Sequence, residues 1–198
     1  MSGLAHPLPG LPSDVRRGTL GMWLFIATEA SLFVMLFFAY FYLSRNVPLW
    51  PPDTPPKLVM PLVMLVVLLA SSAVLLWGER ALQAGRQATA RVSLAITVVL
   101  GVLFLLIQAS EYAEKWSRLR PSTNAYGSIF YALTGVHGCH VALGICMLAY
   151  VALLPDLDSP EPPHRAMHNA SLYWHFVDLV WVVIVAVVYV LPHITRSV

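Results

Sequence analysis

Ser171-Leu-Tyr-Trp-His-Phe-Val-Asp-Leu-Val-Trp-Val-Val-Ile-Val-Ala-Val-Val-Tyr-Val-Leu191 is an almost unbroken apolar run with one histidine, one aspartate and two tryptophans in its first half. About 20 apolar residues are needed to cross a ~30 Å hydrocarbon core as a helix, and the run reaches that length before Pro192, which is expected to stop it. Trp174, Asp178 and Trp181 follow a four-then-three spacing that places them on one helical face, and His175 stands three residues before Asp178. Ionisable groups at membrane depth are costly and turn toward protein, water or an opposite charge. The stretch is therefore predicted to be a membrane span packed as one wall of something larger.

Composition leads to the same class. Charged residues make up 11% of the chain, against about 25% in soluble domains, and apolar residues 58%, against about 45–50%. Cys139 and Cys146 lie seven apart in one apolar segment, so they share a helix face and cannot bridge each other. Residues 1–18 carry prolines, Asp14, Arg16 and Arg17 but no short apolar core ending in small residues, so no cleaved signal peptide is expected.

Five apolar runs are long enough to span: 20–43, 58–78, 92–112, 128–153 and 172–191. Pro48, Pro51, Pro52, Pro55 and Pro56 fill the first connection, and Pro155, Pro160, Pro162 and Pro163 the fourth, where a helix is not expected to continue. The expected architecture is an all-α integral membrane protein, five transmembrane helices in a single bundle, with residues 1–198 forming one membrane domain. An odd number of spans puts the termini on opposite sides. Arg16, Arg17, Arg80, Arg86, Arg91 and Arg165 fall on one side and Arg45, Lys57, Lys115, Arg118, Arg120 and Arg196 on the other, so cationic bias does not set the orientation. The flanks of the first span, Arg16 and Arg17 against Arg45, favour a cytoplasmic N-terminal segment 1–18.

Glu29 stands about ten residues into the first span, roughly 15 Å deep. It reads either as a neutral glutamate hydrogen-bonded to a neighbouring helix or as a functional carboxyl, and both readings require a partner. Gln108 and Glu111 share a face near the end of the third span, where Glu111 reads as a solvated helix end beside the interfacial Tyr112. His137 and His140 sit three apart in the fourth span, and Gly135, Gly138, Ala142 and Gly144 are expected to let another helix approach closely. A metal would need three ligands, for which His137, His140 and either Glu29 or Asp178 can be nominated. Without a denser cluster, these residues read instead as helix-to-helix hydrogen-bond partners, with no metal, no catalytic residue and no haem held by the chain. Nothing in the composition suggests a nucleic-acid partner.

Four motifs occur in one order: Trp23-Leu-Phe-Ile-Ala-Thr-Glu29, then Gln108-x-x-Glu111-Tyr112, then Phe130-Tyr-x-Leu-Thr-Gly-x-His137-Gly-x-His140-Val141, then Tyr173-Trp174-His175-Phe-Val-Asp178-x-Val-Trp181. Over residues 20–191 the chain resembles subunit III of the haem-copper oxidases, in the short five-helix bacterial form. The resemblance implies an accessory subunit of a cytochrome c or quinol oxidase with no catalytic centre of its own. Its partners would be subunit I as the main contact, subunit II and further small subunits, with haem and copper held by those subunits. It also implies phospholipid bound between helices, support of proton uptake during oxygen reduction, and a bacterial inner membrane location with the C-terminus periplasmic or extracellular. Glu29 would match a glutamate lining a lipid cleft. Longer members have two further helices forming the other wall of that cleft, and this chain is expected to lack them. The alternatives are an accessory subunit of a nitric oxide reductase from the same family, an intramembrane metalloenzyme, or a transporter, although no span shows the mid-helix break common at transporter sites.

Matching depths from opposite membrane faces predict two polar pairs, His137 level with Glu29 and His140 level with Asp178, which would make the fourth span a polar spine.

Overall fold

A computed structural model describes residues 14–47, 50–52, 56–117, 119–154 and 163–195. Most of the N-terminal segment 1–18 and Pro48, Pro55, Arg118, Pro155, Pro160, Pro162 and Arg196 lie outside the described residues. The long helices are α1 (Asp14–Asn46), α2 (Val59–Gln83), α3 (Gln87–Lys115), α4 (Ala125–Ala152) and α5 (Pro163–Ile184). α1 to α4 each contain a stretch long and apolar enough to cross a membrane, the fifth such stretch runs from Arg165 in α5 to Ile194, and no strand occurs among the described residues.

Two proline expectations need correction. Pro163 is the first residue of α5, where a helix has no use for the missing N–H because that group would have no intrahelical acceptor. Pro192 does not end the last helix. The chain widens into a π-helical stretch, Val185–Val190, and then continues as α6 (Leu191–Thr195). The amide of Leu191 bonds to the carbonyl of Ala186, five residues back, so the turn before Pro192 is already wider than an α-turn where the proline ring has to fit.

Local signals fix the other ends. Asn124 caps α4 by accepting from the Gly127 amide at 2.7 Å. The α2–α3 hairpin turns at Gly85, whose φ of 72° places it in the left-handed region. The Arg86 amide bonds to Ala81 O and the Gly85 amide to Leu82 O, which completes a Schellman turn.

Buried positions on α2 (Met64, Leu68, Ser71, Leu75, Gly78, Leu82) and α3 (Ala90, Leu94, Thr97, Gly101, Phe104, Gln108) alternate by three and four, the seam spacing of helix bundles. α2, α3, α4 and α5 form a closed ring of neighbours, and α1 packs outside it against α4 and α5. Only 17% of the most apolar window of α1 is buried, against 50% for α5, so α1 is the peripheral helix and α5 the central one. The buried side of α1 is a single stripe, Ile26, Phe33 and Tyr40, seven residues apart.

Trp174 locks the ring. A Cβ on Gly101 of α3 would lie 2.7 Å from the indole, and one on Gly144 of α4 would lie 2.8 Å from it, so the ring fills a notch that only glycines leave open. Its Nε1–H donates to Ser71 Oγ of α2 at 2.9 Å. Gly138 also marks close internal packing, since a Cβ there would lie 2.9 Å from Gln108 Oε1. Gly135 does not, because its hypothetical Cβ meets only Tyr112 Oη at an ordinary 3.8 Å.

Trp174→Ala is expected to destabilise the bundle by about 3–5 kcal/mol, the usual range for emptying a buried aromatic site. Gly138→Leu, which must push Gln108 off its partners, should cost about 1–3 kcal/mol, whereas Gly135→Ala should be neutral. Denaturant titration of the subunit in detergent micelles, read by circular dichroism, checks all three.

Candidate functional site

Inside hydrocarbon every polar group needs an internal partner, so tracing the bonds of the predicted site residues shows what each does. Glu29 on α1 is bonded to His140 on α4, Oε2 to Nε2 at 2.8 Å. His140 Nδ1 lies 2.7 Å from Val136 O, and a carbonyl can only accept, so Nδ1 carries a proton. The Glu29 contact then shares one further proton, held either as a neutral glutamic acid donating to Nε2 or as imidazolium facing carboxylate. Phe33 meets the His140 ring edge-on at 4.9 Å, and Tyr173 lies roughly parallel to it at 6.5 Å. The side chains of Glu29 and His140 are 24% and 11% exposed, so this pair lies at the edge of the bundle, at the seam where α1 joins it.

His137 is not the partner of Glu29. Its ring is fully buried, stacks on Trp181 at 5.0 Å, meets the edges of Phe104 and Phe33, and has no hydrogen bond at either nitrogen. The spine prediction also fails for Asp178, which faces α2 and not His140. Ser72 Oγ donates to Asp178 Oδ2 and contacts His175 Nδ1 at 2.8 Å, while His175 Nε2 lies 3.2 Å from Ser171 Oγ. α1 and α2 pack on different flanks of α5, so the residues of the imagined spine serve two separate interfaces.

Gln108 ties α3 to α4. Its Nε2 donates to Thr134 O at 2.6 Å and to Tyr112 Oη at 3.1 Å, and Tyr112 Oη bonds Thr134 Oγ1 at 2.6 Å. Glu111 is not a freely solvated helix end: it is paired with Lys115 one turn on, and the Lys115 ammonium also lies over the rings of Phe130 and Tyr189. The nominated metal ligands are dispersed, and among the described residues no three His, Cys, Asp or Glu side chains converge. Sequence reasoning missed Ser71, Ser72, Thr134 and Ser171. The available signal was the Ser71-Ser72 pair in the middle of an otherwise aliphatic span.

The arrangement defines a class: a multi-pass α-helical membrane protein, a ring of four helices with a fifth on its flank, in which Glu29–His140 and Ser72 with His175 and Asp178 bond across helix interfaces. Comparison with known proteins sharpens this. The family model described as cytochrome c oxidase subunit III matches residues 12–192. A cytochrome c oxidase subunit 3 of Synechocystis sp. is 37% identical over 197 residues, covering 96% of this chain and 81% of the relative. That of Oryctolagus cuniculus is 38% identical over 195 residues (93% and 72%), and that of Pisaster ochraceus 39% over 179 residues (85% and 68%). The chain belongs to the cytochrome c oxidase subunit III family.

The cross-helix pair yields a thermodynamic test. A double-mutant cycle between Glu29→Ala and His140→Ala is expected to give a coupling of about 0.5–3 kcal/mol, and one between Glu29→Ala and His137→Ala a coupling near zero. Stability in detergent, measured by chemical denaturation, provides both cycles.

Proposed function

We propose that the chain is subunit III of a bacterial haem-copper terminal oxidase, an accessory subunit that stabilises the catalytic subunit I and supports proton uptake during oxygen reduction. The observation that carries this reading is the family match over residues 12–192, within which Glu29 and His140, from two separate motifs of the resemblance, meet as one bonded pair. Residues 1–198 form one membrane domain in this reading, with the N-terminus in the cytoplasm and the C-terminus periplasmic or extracellular. Subunit I is the main partner, followed by subunit II, and haem and copper belong to those partners.

Phospholipid is the ligand proposed for this chain itself. In support, Glu29 and His140 form a partly exposed polar pair at the seam of α1, and a groove of about 360 Å³ opens between α4 and α5, lined by apolar side chains that include Met147, Tyr150 and Val151 together with Asn169. A groove so lined suits an acyl chain. Gln108, His137, Trp174, His175 and Asp178 are internal in this reading and Glu111 holds a helix end, so of the predicted polar residues Glu29 and His140 are the pair offered to lipid.

A tagged chain purified from its native membrane is expected to bring down a haem-containing complex that consumes oxygen with cytochrome c or quinol as donor. The tagged chain expressed alone should bind neither haem nor stoichiometric metal. Optical spectroscopy, oxygen-electrode measurements and elemental analysis test the proposal, and isolation from native membranes without any haem-copper partner would overturn it.

A further inference from the structure

The interface between α2 and α5 contains a set of polar side chains that packing alone does not require. Along α5, His168, Ser171, His175 and Asp178 are three or four residues apart and so share one face, and Ser72 and Glu79 stand two turns apart on the facing helix. The bonds are continuous over the inner part: Ser171 Oγ to His175 Nε2 at 3.2 Å, His175 Nδ1 to Ser72 Oγ at 2.8 Å, and Ser72 Oγ to Asp178 Oδ2. At the outer end His168 Nδ1 lies 3.6 Å from Glu79 Oε1. His168 is 56% exposed, and a cavity of about 150 Å³ lined by Glu79, Leu82, Gln83, Met167 and His168 opens beside it. Ser171 is one helical turn inward of His168, about 4.5 Å along the axis, and is buried.

We propose that the α2–α5 seam is a proton path from the membrane face bearing His168 and Glu79 to Asp178, about 15 Å deeper, where the proton is stored on the carboxyl. In the loaded direction Ser171 donates to His175 Nε2, His175 Nδ1–H donates to Ser72 Oγ, and Ser72 donates to Asp178 Oδ2. A proton reaching the Ser171 oxygen from the cavity shifts each bond inward. The Ser171 O–H breaks as Nε2–H forms, Nδ1–H breaks as a new Ser72 O–H forms, and the former Ser72 proton ends on Oδ2. One proton leaves water and one carboxylate is neutralised, so mass and charge balance. Rotation of the two hydroxyls and exchange of the imidazole tautomer then reset the chain.

The end point is chosen by its surroundings. Asp178 is 5% exposed and its Oδ1 has no partner. From α2 it faces Ser72, with Glu79 two turns away; from its own helix, His175; from α4, His137 is stacked on Trp181, and His140 is bonded to Glu29 of α1. No cation among these groups bonds to the carboxylate, and a carboxylate in hydrocarbon without a cation is stabilised by taking up a proton. This path lies within one chain, and it holds or fails independently of the partner and lipid assignments above.

The test is hydrogen–deuterium exchange of the Asp178 carboxyl, followed by infrared spectroscopy on the full chain in its native membrane complex. The C=O stretch of the protonated acid is identified as the band lost in Asp178→Asn. In the wild type it should shift within the mixing time after transfer to D2O. Ser72→Ala and His175→Gln should slow that shift by about tenfold or more, while Ser72→Thr, which keeps the hydroxyl, and Glu29→Gln, outside the path, should exchange like wild type. If Ser72→Ala fails to assemble, the contrast between Ser72→Thr and His175→Gln decides. Absence of a protonated Asp178 band, or exchange in His175→Gln as fast as in wild type, overturns the proposal.

Discussion

The seat of Trp174 is the contact on which the bundle depends. Lipid tails are as apolar as leucine, so helices in a membrane gain little by hiding apolar surface from one another and associate through close packing and interhelical hydrogen bonds. Trp174 supplies both at one point. Its ring occupies the space left by Gly101 and Gly144, and its N–H reaches Ser71, so a single side chain of α5 touches α2, α3 and α4. The central place of α5 in the fold follows from that contact. α1 has no comparable wedge. It is held by a stripe of Ile26, Phe33 and Tyr40 and by the Glu29–His140 bond, and its outer face carries exposed Trp23, Leu24, Val34, Met35 and Phe38.

The second constraint is that hydroxyls in a dry interior must bond somewhere. Most do so locally, back to a carbonyl of their own helix: Ser93 bonds to Ala90 O, Thr97 to Ser93 O, Thr134 to Phe130 O and Ser31 to Ala27 O. Ser72 is different, because its oxygen is committed to side chains of another helix and joins a histidine to a carboxylate. Ser71 serves both uses, donating to Leu68 O while accepting from Trp174. Two adjacent serines therefore divide the α2–α5 interface, one fixing the tryptophan and the other the ionisable cluster.

The five spans and their order were legible because each is a long apolar run bounded by turn residues. The helix ends were not. α1 begins at Asp14 and α5 at Pro163, each several residues before its apolar run, since a helix persists into the interface wherever its backbone can still bond. The residue types of the site were legible too, as costly ionisable groups in hydrocarbon, but their pairing came out one turn wrong. Depth gives a position along a helix and says nothing of rotation about its axis. His137 and His140 are three residues apart, which turns their side chains about 60° from one another. That angle sends His137 inward to Trp181 and His140 outward to Glu29.

The same geometry separates the ionisable residues into two systems with different surroundings. Glu29 and His140 bond to each other at the rim of the bundle, at the seam where α1 joins α4, and both side chains stay partly exposed. Asp178 is buried in the ring and, among the described residues, connects outward through the Ser72 hydroxyl, the His175 imidazole and the Ser171 hydroxyl. Between the two, His137 is fully buried against Trp181, Phe104 and Phe33, with both ring nitrogens unbonded. No hydrogen-bonded chain joins the systems through His137. The two systems meet mechanically on α5, which packs against α1, α2 and α4: Tyr173 lies beside the His140 ring, and the adjacent Trp174 donates to Ser71 of α2.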